Sequence, residues 1–239
     1  MPQPLPPVAS LRDFYAFEQH VKTCRAQRGL GMVPQWYEVP VFYFSNPVAV
    51  IGNGDPVWAP AGSQSLDYEL ELACIIGTAA RDLPADDAAL GCVAGFTVMN
   101  DWSARDLQRT EMAVGLGPSK SKDFATSLGP RLVPVAELRD CYRDGRLHLE
   151  MTATVNGREY SRGNAGSMYW TWPQLLAHAS RDAELRPGDV IGSGTVGTGC
   201  ILELTPEAVG GWLKPGDVVE LTVERIGTLW NTVVERPTN

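Results

Sequence analysis

Apolar residues recur at helical spacing from Val8 to about Gln27 (Leu11, Phe14, Tyr15, Phe17 and Val21), and Gly29 and Gly31 end the pattern, so the chain is predicted to open with a helix. From Glu38 the texture changes to short runs rich in β-branched and aromatic residues, EVPVFYF and PVAVIG, broken by Asn, Gly, Asp and Pro, which supply turn conformations. Strands are also predicted over Leu66–Gly77 and Cys92–Asn100. The segment HLEMTATVNGREYSRG reads as a hairpin, because Asn156–Gly157 tolerates the positive backbone angles of a two-residue turn. A helix is expected over Trp172–Ser180. Two Pro–Gly–Asp turns, in RPGDVIGSG from 186 and KPGDVVELTV from 214, each feed a strand. Many short strands, two or three helices and no strand–helix alternation disfavour a doubly wound parallel sheet. The pattern predicts a mixed α+β, β-rich fold: a β-sandwich or roll with peripheral helices.

Length and composition narrow the functional classes. The 239 residues suit one domain spanning 1–239, with the uncharged, proline-rich residues 1–10 as a flexible start. Twenty-eight acidic against 20 basic residues give a net charge of −8 without any Lys/Arg-rich stretch, so nucleic-acid backbones and anionic membranes should be repelled. A small anionic substrate is still compatible, since a metal and a few convergent cations reverse the potential inside one cleft. No stretch approaches the roughly 18 apolar residues of a membrane span, and no basic-plus-apolar leader precedes the first element. Five cysteines, odd in number and widely spaced, suggest a reducing compartment, and the expected location is the cytoplasm. GNGDP lacks the following helix of a nucleotide fingerprint, and GSGTVGTG lacks the Lys-Ser/Thr of a phosphate loop.

Three segments carry candidate chemistry. In DYELELACIIG, alternation places Glu69 and Glu71 on one strand face and Leu70, Leu72 and Cys74 on the other. Two carboxylates about 6.5–7 Å apart along a strand can converge on one hard divalent ion. An ordinary solvated strand face would show the same pattern. In GFTVMNDWSARDLQ, an apolar strand ends at Asn100–Asp101, and Ser103 is placed to cap a short helix on which Arg105 and Gln108 share a face. Asp101 alone is equally readable as a turn residue. SKSKDFATSLGP offers Lys120 and Lys122, in a context that also suits a solvated loop. Of the three histidines, His148 and His178 sit among Leu and Ala and read as packing residues, whereas His20 lies near Glu18, off the apolar stripe.

The order LDYELE, MNDWSARDLQ, KDFATSLGP, GSGT resembles the fumarylacetoacetate hydrolase family, over nearly the whole chain, and DFYAFEQH extends the resemblance to the N-terminal segment. The resemblance implies that family's β-sandwich roll and a divalent metal centre on Glu69, Glu71 and Asp101, with Asp13 as fourth ligand. It further implies His20 as catalytic base oriented by Glu203, and Arg105, Gln108 and Lys122 as groups that steady a departing enolate, with Thr126 nearby. Tyr15, Tyr43 and Thr195 would contact substrate. The implied reaction is hydrolysis of a C–C bond in a 1,3-dicarbonyl acid of the fumarylacetoacetate or acylpyruvate type. Mg²⁺ is the expected ion, although oxygen ligands also suit Mn²⁺ and Ca²⁺. A homodimer is expected, on the family's habit and on the aromatic run MYWTW at 168–172. Departures from the namesake enzyme, which has an additional N-terminal domain, include Met112 at the position of a substrate-contacting Tyr and no clear counterpart, around Arg25–Arg28, for a substrate-binding Arg. Two other readings stay open. The same centre could serve oxaloacetate decarboxylation or 2-hydroxy-dienoate isomerisation or hydration, or the acidic face could hold a structural ion in a non-catalytic β-rich module.

Overall fold

The computed structural model describes residues 5–238, so the first four residues of the expected flexible start lie outside it. Sixteen strands are assigned among the described residues. In chain order the first eight are β1 (Ser10–Phe14), β2 (Phe42–Ser45), β3 (Val50–Ile51), β4 (Pro56–Val57), β5 (Leu66–Asp67), β6 (Leu70–Ile76), β7 (Val93–Asp101) and β8 (Ser103–Ala104). The rest are β9 (Thr126–Val133), β10 (Tyr142–Arg143), β11 (Arg146–Leu147), β12 (Glu150–Val155), β13 (Arg158–Asn164), β14 (Asp189–Gly192), β15 (Val218–Val223) and β16 (Gly227–Val233). A seven-stranded mixed sheet runs β2-β1-β14-β6-β7-β9-β3, and a five-stranded sheet runs β13-β12-β15-β16-β4. The pairs β5–β8 and β10–β11 stand apart. The helices are α1 (Glu18–Ala26), α2 (Arg105–Val114), α3 (Trp172–Ser180) and the single turns α4 (Ile201–Leu204) and α5 (Pro206–Val209). The fold is mixed and β-rich, as the sequence pattern predicts.

Strand β6 explains how the large sheet is buried on both faces. Leu70, Leu72, Cys74 and Ile76 enter the main core, shared with Met151, Ala153, Leu221 and Val223 of the second sheet. Ala73 and Ile75, of opposite parity, join Leu11, Met99, Leu128 and Val190 in a smaller core on the other side. This second face is apolar at one end only. Following the same parity along each strand leads from Leu11 to Asp13, from Ala73 to Glu71 and from Met99 to Asp101. One face of one sheet therefore supplies both a small apolar core and, at its far end, three buried carboxylates.

Several predicted elements hold. Asn156 (φ 52°) and Gly157 (φ 76°) form the hairpin turn between β12 and β13. Helix α3 matches the predicted range and starts with a reciprocal cap between Thr171 and Gln174. In both Pro–Gly–Asp turns the aspartate accepts from the amide three residues earlier, Asp189 from Arg186 and Asp217 from Lys214, each at 2.9 Å.

The predicted opening helix is a correction. Residues 10–14 form β1, parallel to β14 and antiparallel to β2, and helix begins only at Glu18. A strand flanked on both sides and buried on both faces reads as a continuous apolar run, which periodicity alone does not separate from a buried helix. Residues before β1 are also tied down: Leu5 and Val8 pack on the smaller core, and the Ala9 amide donates to the Gly188 carbonyl at 3.0 Å. The run at 168–172 is mostly core as well, since Met168, Trp170 and Trp172 are buried and Tyr169 alone is exposed. No helix of the described residues is long and apolar enough to cross a membrane.

Candidate active site

Register places the carboxylates side by side. Asp13 on β1 stands opposite Tyr43 on β2 and Gly192 on β14. Glu71 on β6 stands opposite Met99, two residues before Asp101 on β7. Glu69 lies in the break between β5 and β6, where its amide donates to the Asn100 side chain at 2.9 Å. One oxygen from each of Asp13, Glu69, Glu71 and Asp101 can be chosen so that all four lie within 4.8 Å of one another, and all four residues are buried. Gly192 makes room for Asp13: a Cβ there would sit 2.3 Å from Asp13 Oδ1. The Gly194 amide donates to the same oxygen at 3.2 Å. Thr195, on the segment that runs beside the start of β6, donates to Glu71 Oε1 at 3.3 Å.

Cations reach only part of this cluster. The Lys122 ammonium pairs with Glu69 and Asp101, and the Tyr43 hydroxyl donates to Asp101. Arg105 holds Glu69 Oε1 through Nη2 and Asp67 Oδ2 through Nε, each at 2.8 Å. Burial raises the Glu69 carboxyl, but Lys122 and Arg105 outweigh it and hold the group at about 2. Burial and the neighbouring carboxylates push Asp13 and Glu71 well above the usual range. Burial also raises Asp101, against the pull of Lys122. The pocket thus opposes full ionisation of its acids unless a further cation is supplied.

Beside the carboxylates lies a second buried pair. His20 Nδ1 and Glu203 Oε2 are 2.7 Å apart, and the amides of Thr198 and Gly199 donate to the Glu203 carboxylate at 3.1 Å each. Burial works against a charged His20, but Cys200 and Glu203 outweigh it and lift its pKa well above the ordinary imidazole value. The Tyr15 ring meets the imidazole edge-on, with centroids 5.5 Å apart. Gln108 accepts from Arg105 Nη1 at 3.0 Å through its carbonyl oxygen, leaving its amide hydrogens to donate elsewhere.

With this geometry in view, comparison with known proteins is decisive. The family model described as fumarylacetoacetate (FAA) hydrolase C-terminal matches residues 10–234. The chain belongs to the fumarylacetoacetate hydrolase family. It is 30% identical over 250 residues to the fumarylacetoacetase of Arabidopsis thaliana, covering 83% of this chain and 58% of that protein. It is 35% identical over 200 residues to the oxaloacetate tautomerase of Bacillus subtilis, covering 82% of this chain and 62% of that one. The chain therefore spans about three fifths of the length of these two relatives. Among solved structures, the 5-carboxymethyl-2-hydroxymuconate delta-isomerase of Mycobacterium smegmatis superposes with a TM-score of 0.76 at 29% identity, over 100% of this chain and 83% of that one. The family holds hydrolases, isomerases and tautomerases, and its enzymes use a divalent metal.

The residues present fit such an ion. Glu71 Oε2 and Asp101 Oδ1 are buried acceptors with no hydrogen-bond donor among the described residues. Oxygen ligands about 2.0–2.6 Å from a shared hard cation lie at most about 4–5 Å apart, which a set confined within 4.8 Å meets after small side-chain shifts.

The structure also corrects and extends the sequence reading of this family site. His20 is on the buried side of α1, with Val21 and Cys24, and not on its surface. Ser103 caps nothing: it lies in β8 and donates to the Asp101 carbonyl, while Ala104 precedes α2 without a side-chain cap. Lys120 is an exposed partner of Asp123, whereas Lys122 is buried among carboxylates. His178 packs edge-on against Phe14 and Phe42, as expected of a packing residue. Asp67 was not anticipated. It accepts from the amides of Ile201 and Leu202 at 2.8 and 3.0 Å as well as from Arg105, so it ties α4, and with it Glu203, to the guanidinium. Its signal was present in DYELE, where residues 67, 69 and 71 share one parity.

Proposed function

We propose that this chain, read as one catalytic domain, is a metal-dependent hydrolase that cleaves a C–C bond in a 1,3-dicarbonyl acid of the acylpyruvate or fumarylacetoacetate type. The observation that carries this reading is the buried His20–Glu203 pair, 2.7 Å apart, next to a four-carboxylate cluster. Isomerisation and tautomerisation need no attacking water, whereas hydrolysis needs a base to deprotonate one, and His is the side chain suited to that near neutral pH.

Asp13, Glu69, Glu71 and Asp101 would hold the ion, and this all-oxygen set suits Mg²⁺ as well as Mn²⁺ or Ca²⁺. When bound, such an ion polarises the chelated carbonyl and offsets charge that grows on the enolate leaving group. Nε2 of His20 takes the proton of the attacking water while Glu203 holds Nδ1 and stabilises the imidazolium. His20 would act as base in its neutral form, which a cation held by the neighbouring carboxylates would favour over the imidazolium. Arg105, fixed by Asp67 and Glu69, and Gln108, with its free amide hydrogens, donate to the enolate, and Lys122 is the third donor. Tyr15, Tyr43 and Thr195 line the substrate position. A homodimer would cover the exposed Phe44, Val48, Val114 and Leu116.

The test is product identification with the Mg²⁺-loaded protein. Acylpyruvates should yield pyruvate and a carboxylic acid in equal amounts. The tautomerase and isomerase relatives support a second reading, enolate chemistry without bond cleavage. Ketonisation of enol-oxaloacetate with no acylpyruvate turnover would select it, and release of carbon dioxide would point to decarboxylation instead.

Two further results are expected from the site's construction. Gly192→Ala should displace Asp13 and weaken Mg²⁺ binding about 10–100-fold, the range typical for groups that position a ligand, as read by titration calorimetry. The second concerns pH. Asp13, Glu71 and His20 all have folded pKa values above their ordinary ones, so the stability each contributes is full below its unfolded pKa and is lost as pH rises through the folded value. Glu69, held at about 2, acts oppositely but loses its contribution only in strong acid. Metal-free protein should therefore melt at progressively lower temperature as pH rises from about 5 to 8, by about 2–4 °C per kcal/mol lost. Mg²⁺ should restore more at the upper end. Calorimetric scans with and without chelator check both.

A further inference from the structure

His20 faces two thiols that the hydrolytic reading does not use. Cys24, one turn further along α1, places Sγ 3.8 Å from both Nδ1 and Nε2 of the imidazole. Cys200, immediately before α4, places its Sγ 3.7 Å from Glu203 Oε2. One donor atom from each of His20, Cys24 and Cys200 can be chosen so that all three lie within 4.8 Å of one another, and all three residues are buried. Tetrahedral zinc, with bonds of about 2.3 Å to sulfur and about 2.0–2.1 Å to nitrogen, sets neighbouring donors about 3.5–3.8 Å apart. The His20–Cys24 distance of 3.8 Å already meets that spacing, and the other donor pairs, within 4.8 Å, reach it with small side-chain shifts.

The surroundings of the ring complete the arrangement. A ligating histidine commonly donates its second N–H to a carboxylate, which fixes the tautomer and ring orientation. Glu203 already occupies that place at Nδ1, so Nε2 is left to face an ion. The donor set is also opposite in character to the neighbouring one: thiolate and imidazole favour Zn²⁺ and Cd²⁺, whereas four carboxylates favour Mg²⁺, Mn²⁺ or Ca²⁺.

We propose that His20, Cys24 and Cys200 form a second, soft-metal site that takes Zn²⁺ or Cd²⁺ and, by engaging the imidazole, shuts off the activity of the adjacent centre. The inhibitory clause alone rests on the catalytic reading of His20. On binding, the two thiols and the imidazolium each give one proton to solvent, and the bonds formed are two sulfur–metal bonds and one nitrogen–metal bond, with no redox change.

The test titrates the Mg²⁺-saturated full-length protein with Cd²⁺ and follows thiolate-to-cadmium charge-transfer absorption. The site predicts one tight Cd²⁺ per chain carrying this band, loss of the tight phase in Cys24→Ser and in Cys200→Ser, and its survival in Glu71→Gln. Circular dichroism establishes that each variant is folded, and Cys24→Ala replaces Cys24→Ser if the latter is not. No band at one equivalent, or a tight band that persists when both cysteines are replaced, overturns the site. Zn²⁺ should inhibit turnover by the wild type, with about 10–100-fold more Zn²⁺ needed for either cysteine variant. A band without inhibition upholds the metal site and instead overturns the role of His20 as base.

Discussion

Glu71→Gln is expected to abolish productive Mg²⁺ binding, with affinity lowered by more than about 10²-fold, since loss of even a group that orients a ligand costs up to that much. The substitution keeps the shape of the side chain and removes one charge. Glu71 is the informative position because its Oε2 is buried without a donor and because burial and three neighbouring carboxylates raise its pKa. The metal-free wild type therefore carries an electrostatic cost at this residue that the variant lacks. Metal-free Glu71→Gln should accordingly melt at or above the temperature of the metal-free wild type, while the Mg²⁺-induced rise in melting temperature disappears. Calorimetric titration and thermal scans measure both. Asp101→Asn should behave alike toward the ion, but it also leaves Lys122 without one of its two charge partners and weakens the bond accepted from Tyr43, so its metal-free form should be less stable. If the acidic cluster were a structural ion site in a non-catalytic module, Asp101→Asn would lower the melting temperature with no turnover to lose.

His20→Ala is the second large effect. It should lower kcat for an acylpyruvate by about 10²–10⁴-fold, the usual contribution of a general base, while Mg²⁺ affinity stays within a few-fold of the wild type. Removing a buried ring also opens a cavity, so His20→Gln serves as a companion that keeps more of the volume. Glu203→Gln should give a smaller loss in kcat and move the acidic limb of the rate profile to lower pH, because the carboxylate that raises His20 is gone. Full acylpyruvate turnover by His20→Ala would remove the imidazole from the mechanism and assign the water's proton to another base.

Particular residues show what was legible beforehand. Helix α3, the Asn156–Gly157 hairpin and strand β7 follow from local rules, because caps, turn residues and uninterrupted β-branched runs act within a few residues of themselves. Glu69, Glu71 and Asp101 were readable as candidates from alternation and from a strand end, and Asp13 and His20 only through resemblance to a family. Strand β1 misled for a physical reason. Its helix-like spacing is the by-product of burial against β2 and β14, partners distant in sequence, and tertiary pairing overrode the local pattern. A different non-local contact, with Glu203 on α4, turns His20 inward. Asp67, by parity with Glu69 and Glu71, and Cys24, one turn from His20, each had a local signal, but the partners that give them a role, Arg105 with α4 and Cys200, lie far along the chain, and nothing local marks Cys200. The second-face rule, in which Leu11, Ala73 and Met99 lead by parity to Asp13, Glu71 and Asp101, becomes visible only once register is known.

The central claim is that carboxylates from three strands and one strand break share a hard cation that stays open to a bidentate keto acid. A crystal structure of the protein with Mn²⁺ and oxalate, located by the anomalous signal of the metal, tests it most directly. The account predicts one manganese on oxygens of Asp13, Glu69, Glu71 and Asp101, with oxalate completing its coordination and Arg105 or Gln108 donating to that oxalate. Manganese bound elsewhere, or one wholly enclosed by protein oxygens with oxalate excluded, would contradict it.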